Sequence, residues 1–95
     1  SAHQALVGIR STMGLTSRAG VVPLNNEADI AGPMARTMTD AVEILQVIAG
    51  EDPDNPVTAE SRGHRETDYR RFLQRDALHG ARIGVLRQAY DRPTL

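Results

Sequence analysis

The chain has 95 residues, 11 basic and 12 acidic side chains, a formal net charge of −1 and no cysteine. That length allows one domain at most. The near-neutral charge gives no basis for a nucleic-acid or membrane-surface partner, and the missing thiols exclude disulfides, cysteine catalysis and zinc–cysteine sites. No apolar run reaches the length of a membrane span, the N-terminus lacks the layout of a secretory signal, and the expected compartment is the cytoplasm. One Phe, two Tyr and no Trp supply little aromatic bulk for a core. That scarcity suits either a small aliphatic domain or a segment that packs against more polypeptide. The start at Ser1 rather than Met favours the segment.

In chain order, residues 5–10 form a short apolar run suited to a buried strand, with Gly8 allowing close approach of another backbone. Residues 11–20 carry Gly14, Thr16, Ser17 and Gly20 and read as loop. Val21-Val22-Pro23-Leu24 is extended, but Pro23 lacks an amide donor and argues against a central strand. A polar turn follows at Asn25-Asn26-Glu27. Residues 29–35 are the next candidate strand, with a bulge or strand end at Gly32-Pro33.

The next element is a capped helix. Thr37 is its expected N-cap, and Asp40 is placed to reciprocate in a capping box and to meet the helix dipole. Met38, Ala41, Val42, Leu45, Ile48 and Ala49 recur at spacings of three and four. Ile44 and Val47 widen the apolar surface, so only Thr39, Asp40, Glu43 and Gln46 remain polar. A helix this apolar is expected to be covered on most sides. Gly50 is the expected left-handed stop, and Pro53 prevents continuation. Residues 51–66 are loop. A weaker helix is expected over residues 67–78, with Tyr69, Phe72, Leu73 and Ala77 on one face. A strand follows over 81–86, then a polar tail over 88–95.

Strands alternating with helices point to an α/β class. Two or three strands and two helices amount to part of a sheet with flanking helices, not a closed architecture. The expected organisation is a fragment of one domain over residues 1–95.

Chemistry-bearing residues are sparse. The serines are Ser1, Ser11, Ser17 and Ser61, and none lies in a Gly-x-Ser-x-Gly elbow. Ser17 suits a turn. His3, His64 and His79 lack metal-ligand spacing, and no metal or cofactor is expected. Asp52-Pro53-Asp54-Asn55 lacks the glycine and distal Glu of a calcium loop and reads as a solvated turn. Arg62, Arg65, Arg70, Arg71 and Arg75 alternate with Glu60, Glu66, Asp68 and Asp76. They read as a salt-bridged face with a Glu66–Arg70 helical pair. Asp29 and Arg36 flank a run expected to be buried, where a charge needs a partner. They form a structural ion pair or backbone clamp, or else Asp29 faces a pocket near substrate. All basic residues are Arg, which is a poor general base.

Several of these motifs together resemble the amidase signature family. They are Leu6-Val7-Gly8-Ile9-Arg10, Ser11-Thr12-Met13-Gly14 and Ser17-Arg18-Ala19-Gly20-Val21-Val22-Pro23-Leu24. Asp29 then precedes Gly32-Pro33-Met34-Ala35-Arg36-Thr37 by three residues, and the Asp40-Ala41 helix follows. The resemblance is strongest over residues 1–50. It continues weakly through Leu78 to Arg82 and Ile83-Gly84-Val85. Ser11 stands where the family usually has proline, and Arg10 where lysine is common. The resemblance implies a piece of an α/β/α sandwich around a mixed sheet. It also implies carboxamide hydrolysis through a Ser–cis-Ser–Lys triad: lysine activates the nucleophile through the bridging serine, ammonia or an amine leaves, and water releases the acid.

In the family pattern the lysine and bridging serine lie upstream of Leu6, and the nucleophile sits in a Gly-Gly-Ser run shortly before the position of Ser1. No catalytic residue carries over onto this chain. What remains is framework, with Gly32, Pro33, Arg36, Thr37 and Asp40 structural and Asp29 the candidate substrate contact. The implied partners are a small-molecule amide and the rest of an amidase chain. Two alternatives stay open: the amidase component of a tRNA-dependent amidotransferase, and a non-enzymatic α/β binding module using the Arg62–Arg75 stretch.

Overall fold

A computed structural model of the chain describes residues 1–89. A two-stranded antiparallel sheet pairs β1 (Val7–Gly8) with β2 (Met34–Ala35), Val7 opposite Ala35 and Gly8 opposite Met34. One helix follows, α1 (Met38–Ile48). Short 3-10 turns occur at Ala2–Gln4, Pro56–Ser61, Tyr69–Phe72 and Arg87–Ala89.

The close approach expected beside Gly8 is made by Gly32. Ile9 N–H donates to the Pro33 carbonyl at 3.1 Å. A Cβ on Gly32 would run into the Ile9 carbonyl oxygen, whereas one on Gly8 would meet only side chains, chiefly that of Ser1. Gly32 therefore lets the two strands come together side by side, and the buried Pro33 ends the approach without needing a donor.

The start of α1 follows the sequence. Thr37 is extended (φ −123°, ψ 156°), and its hydroxyl accepts the Asp40 N–H at 3.1 Å. The capping box is only half made, since among the described residues Asp40 returns no bond to Thr37. The helix ends differently from expectation. Gly50 is not left-handed; the positive-φ glycines are Gly14, Gly20, Gly63 and Gly80. Instead Ala49 turns extended (φ −74°, ψ 120°) and bridges Thr16, while Gly50 N–H donates to the Leu15 carbonyl at 3.0 Å. The stop is thus imposed by backbone pairing with an upstream loop.

Ala41, Val42 and Leu45 form the buried apolar core, on one face of α1. The helix is not covered on most sides. Val47 is 83% exposed, and Ile44 and Ile48 flank it in the open. Val22 and Leu24 are more exposed still.

The helix over 67–78 does not form. Asp68 captures Arg70 N–H at 3.0 Å and tightens the chain into the 3-10 turn Tyr69–Phe72, which Leu73 ends. Phe72, Leu73 and Ala77 lie exposed, so no buried face offsets the cost of helix nucleation. Residues 81–86 have no strand partner among the described residues and are exposed throughout. Of the tail expected over 88–95, the portion beyond Ala89 lies outside the described residues. The chain carries both helical and strand elements, compatible with an α/β fragment, and among the described residues the strands form a single two-stranded antiparallel sheet. Among the described residues no helix is long and apolar enough to cross a membrane.

Candidate functional site

Two loops, residues 11–31 and 51–62, meet beside the C-terminal end of α1; each is held internally by hydroxyls, and the Ser17 hydroxyl joins them. Ser11 Oγ and Thr16 Oγ1 are buried, and both donate to the Ala31 carbonyl, at 3.0 and 2.7 Å. Thr58 is fully buried. Its Oγ1 accepts the Asp52 N–H at 2.8 Å and lies within hydrogen-bond distance of the Asp52 and Asn55 carbonyls. Ser61 Oγ donates to the Thr58 carbonyl at 2.7 Å. Each hydroxyl replaces a bond the loop backbone would otherwise make to water, the condition for burying irregular chain.

Ser17 links the two loops. Its Oγ donates to Asp52 Oδ2 at 2.5 Å and accepts the Ala19 N–H at 3.0 Å. Asp52 Oδ1 accepts the Asp54 N–H at 3.0 Å. The Ser17 hydroxyl, and next the Asp54 amide, hold the Asp52 carboxyl below its ordinary value. The Asp52–Asn55 turn is therefore not simply solvated, because Asp52 and Asn55 are half-buried. The Asn55 Nδ2 is buried without a hydrogen-bond partner among the described residues.

Asp29 is the sequence's candidate substrate contact. Its Oδ2 accepts the Leu24 and Asn25 N–H groups at 2.7 and 2.8 Å. The Asn25 and then the Leu24 amide lower its pKa, with a smaller contribution from the Arg18 charge. Arg18 Nη1 donates to the Asn26 carbonyl at 2.8 Å and to the Asp29 carbonyl at 3.2 Å. Asp29 and Arg18 line an open cleft of about 190 Å³, with Asn26, Asp54 and Asn55 on its other walls.

Asp29 and Arg36 do not pair. Asp29 clamps backbone, while Arg36 sits exposed in the bend before α1 and makes no ion pair among the described residues. Exposure removes the need for a partner. Gly32, Pro33, Thr37 and Asp40 lie along the β2-to-α1 path, away from the cleft lining. The arginine-rich stretch is salt-bridged, but in other pairs than expected. Glu66 meets Arg71 at 2.6 Å, Asp68 meets Arg70 at 2.8 Å and Glu51 meets Arg62 at 2.6 Å. A Glu66–Arg70 pair needs the absent helix. Among the described residues, no group of three His, Cys, Asp or Glu side chains is arranged to hold a metal ion.

Thr16, Thr58 and Ser61 hold the two loops in shape from within and were not legible as such. Asn55-Pro56 was the available signal, since proline at the first helical position marks a helical start.

The β1–β2 pair, the capped helix and the hydroxyl-tied loops that line the cleft are the main elements of the described fold. A family model described as Amidase matches residues 1–94, and the chain belongs to that family. It is 41% identical over 87 residues to a probable amidase of Arabidopsis thaliana, covering 90% of this chain and 17% of that protein. A putative amidase of Arthroderma benhamiae is 45% identical over 82 residues, covering 86% and 14%. A glutamyl-tRNA(Gln) amidotransferase subunit of Synechococcus sp. is 39% identical over 87 residues, covering 92% and 17%. The chain thus spans about a sixth of the length of the curated relatives it matches. No solved structure matches it.

Proposed function

We propose that this chain is a framework segment of an amidase that hydrolyses carboxamide C–N bonds through a Ser–cis-Ser–Lys acyl-enzyme. The segment belongs to the α/β/α sandwich of that enzyme and carries no member of the triad. The observation that carries the reading is the absence of lysine from a chain of this family. Its buried and half-buried serines support it too. Ser11 and Ser61 donate to backbone carbonyls, and Ser17 donates to Asp52, a carboxylate whose lowered pKa makes it a weaker base than a free one. Asp29 has the one substrate-facing role: two amides hold its carboxylate rigid and ionised on the wall of a cleft.

A second reading rests on the amidotransferase relatives. The enzyme would then be the amidase component of an amidotransferase, with other subunits as partners.

Ammonia release from a simple carboxamide tests the proposal. The 95-residue chain alone is expected to release none above buffer. A longer protein that supplies the upstream lysine and serines is expected to turn the amide over. Turnover by the isolated chain would overturn the framework reading. Co-purification of the longer protein with further subunits would favour the second reading.

A further inference from the structure

We infer that Gln46 is a latch that holds a strap, residues 66–72, against the polar side of α1. Gln46 lies on the same helix side as Glu43 and Thr39, away from the Ala41, Val42 and Leu45 core. Its Nε2 donates to the Thr67 carbonyl at 3.0 Å, and its Oε1 accepts the Tyr69 N–H at 2.7 Å. One carboxamide therefore meets both the acceptor and the donor of an extended stretch of backbone, as a neighbouring strand edge does.

The strap keeps its own shape. The Glu66 carboxylate pairs with Arg71, Asp68 Oδ1 accepts the Arg70 N–H and Nε, and Glu66 N–H donates to Tyr69 Oη at 3.3 Å. None of these bonds ties it to the body. Among the described residues, the two Gln46 bonds are the only hydrogen bonds between residues 66–89 and the rest of the protein. Residues 70–88 are exposed. A single side chain thus supplies the hydrogen bonding that docks the C-terminal segment on the body among the described residues.

The strap also divides space. Arg65, Glu66 and Tyr69 line two clefts, of about 480 Å³ on the Gln46 side and about 460 Å³ on the Met13 and Leu15 side. Lifting the strap removes that partition and joins the two. Gln46 is a positioning residue in this device.

Limited trypsin digestion and amide exchange test it on the 95-residue chain. Gln46→Met keeps chain length and helix propensity but can make neither bond. In the parent chain, cleavage after Arg70 and Arg71 is expected to be slower than after the exposed Arg82. In Gln46→Met, cleavage at Arg70 and Arg71 and exchange of the Tyr69 amide are expected to accelerate about tenfold, the loss of roughly one to two net hydrogen bonds. The Ala49 amide, bonded to the Leu45 carbonyl at the end of α1, is expected to keep its rate. Gln46→Ala is expected to behave like Gln46→Met.

Four results would each overturn the latch: equal cleavage at Arg70 and Arg82 in the parent chain, no acceleration in Gln46→Met, acceleration in Gln46→Ala alone, or equal loss of protection at Ala49. The third would make the contact one of packing, and the fourth would make Gln46 a general support of α1.

Discussion

Leu6-Val7-Gly8-Ile9 and Ile83-Gly84-Val85-Leu86 contain the same four residue types in reversed order. The first is a strand, with Leu6, Val7 and Ile9 half-buried and its backbone paired to Met34–Ala35. In the second, Ile83, Val85 and Leu86 are 67–68% exposed, and the segment pairs with nothing among the described residues. Local preference is therefore shared and the outcome is not. A strand is completed by a partner that arrives from elsewhere, and for β1 that partner can approach only because Gly32 presents no side chain to the Ile9 carbonyl.

Gly32→Ala breaks that contrast most directly. The added methyl must displace backbone, so the β1–β2 ladder is expected to open at a cost of about 2 kcal/mol or more. Residues 6–9 should then exchange their amides as freely as 83–86. Amide exchange compared between the two segments checks this, and a persistent ladder would refute the close approach.

Thr58→Val comes next. The hydroxyl that meets the Asp52 N–H is lost while the shape is kept, and the cost is expected at about 1–3 kcal/mol, the penalty of a buried donor left unpaired. Thermal melting with Thr58→Ser as the control measures it. If valine is as stable as threonine, the 51–62 loop is not held by that side chain.

The smallest effect concerns acid. Asp52 is held below its ordinary value of about 3.8 by Ser17 and the Asp54 amide. A lowered folded-state pKa contributes stability that is present above the unfolded value and lost as pH falls through the folded one. Ser17→Ala is expected to raise the Asp52 midpoint toward 3.8 and to shrink that acid-sensitive part. A carboxyl NMR titration reads the shift directly. An unmoved midpoint would show that the Ser17 bond does not persist in solution.

The same contrast explains which expectations held. The cap at Thr37 and the helix from Met38 were readable because capping and periodicity operate within one turn of chain. The helix end was misplaced at Gly50 because the stop comes from the Thr16–Ala49 bridge, a contact 33 residues apart in sequence. The segment over 67–78 had helical spacing, yet without a surface to bury Phe72 and Leu73 it keeps one 3-10 turn. At the candidate site, Asp29 stood out as a charge beside an apolar run. Its actual bonds, to Leu24 and Asn25, depend on how the 24–29 turn folds back.

Residue order alone established the family pattern, the capped helix and the lack of any lysine to act as a base, since these are properties of neighbours and of inventory. Three-dimensional packing chose which of two equivalent apolar runs became a strand, where α1 stopped and which hydroxyls went inside. Those outcomes turn on donors and acceptors brought together across tens of residues, and no local preference encodes such distances.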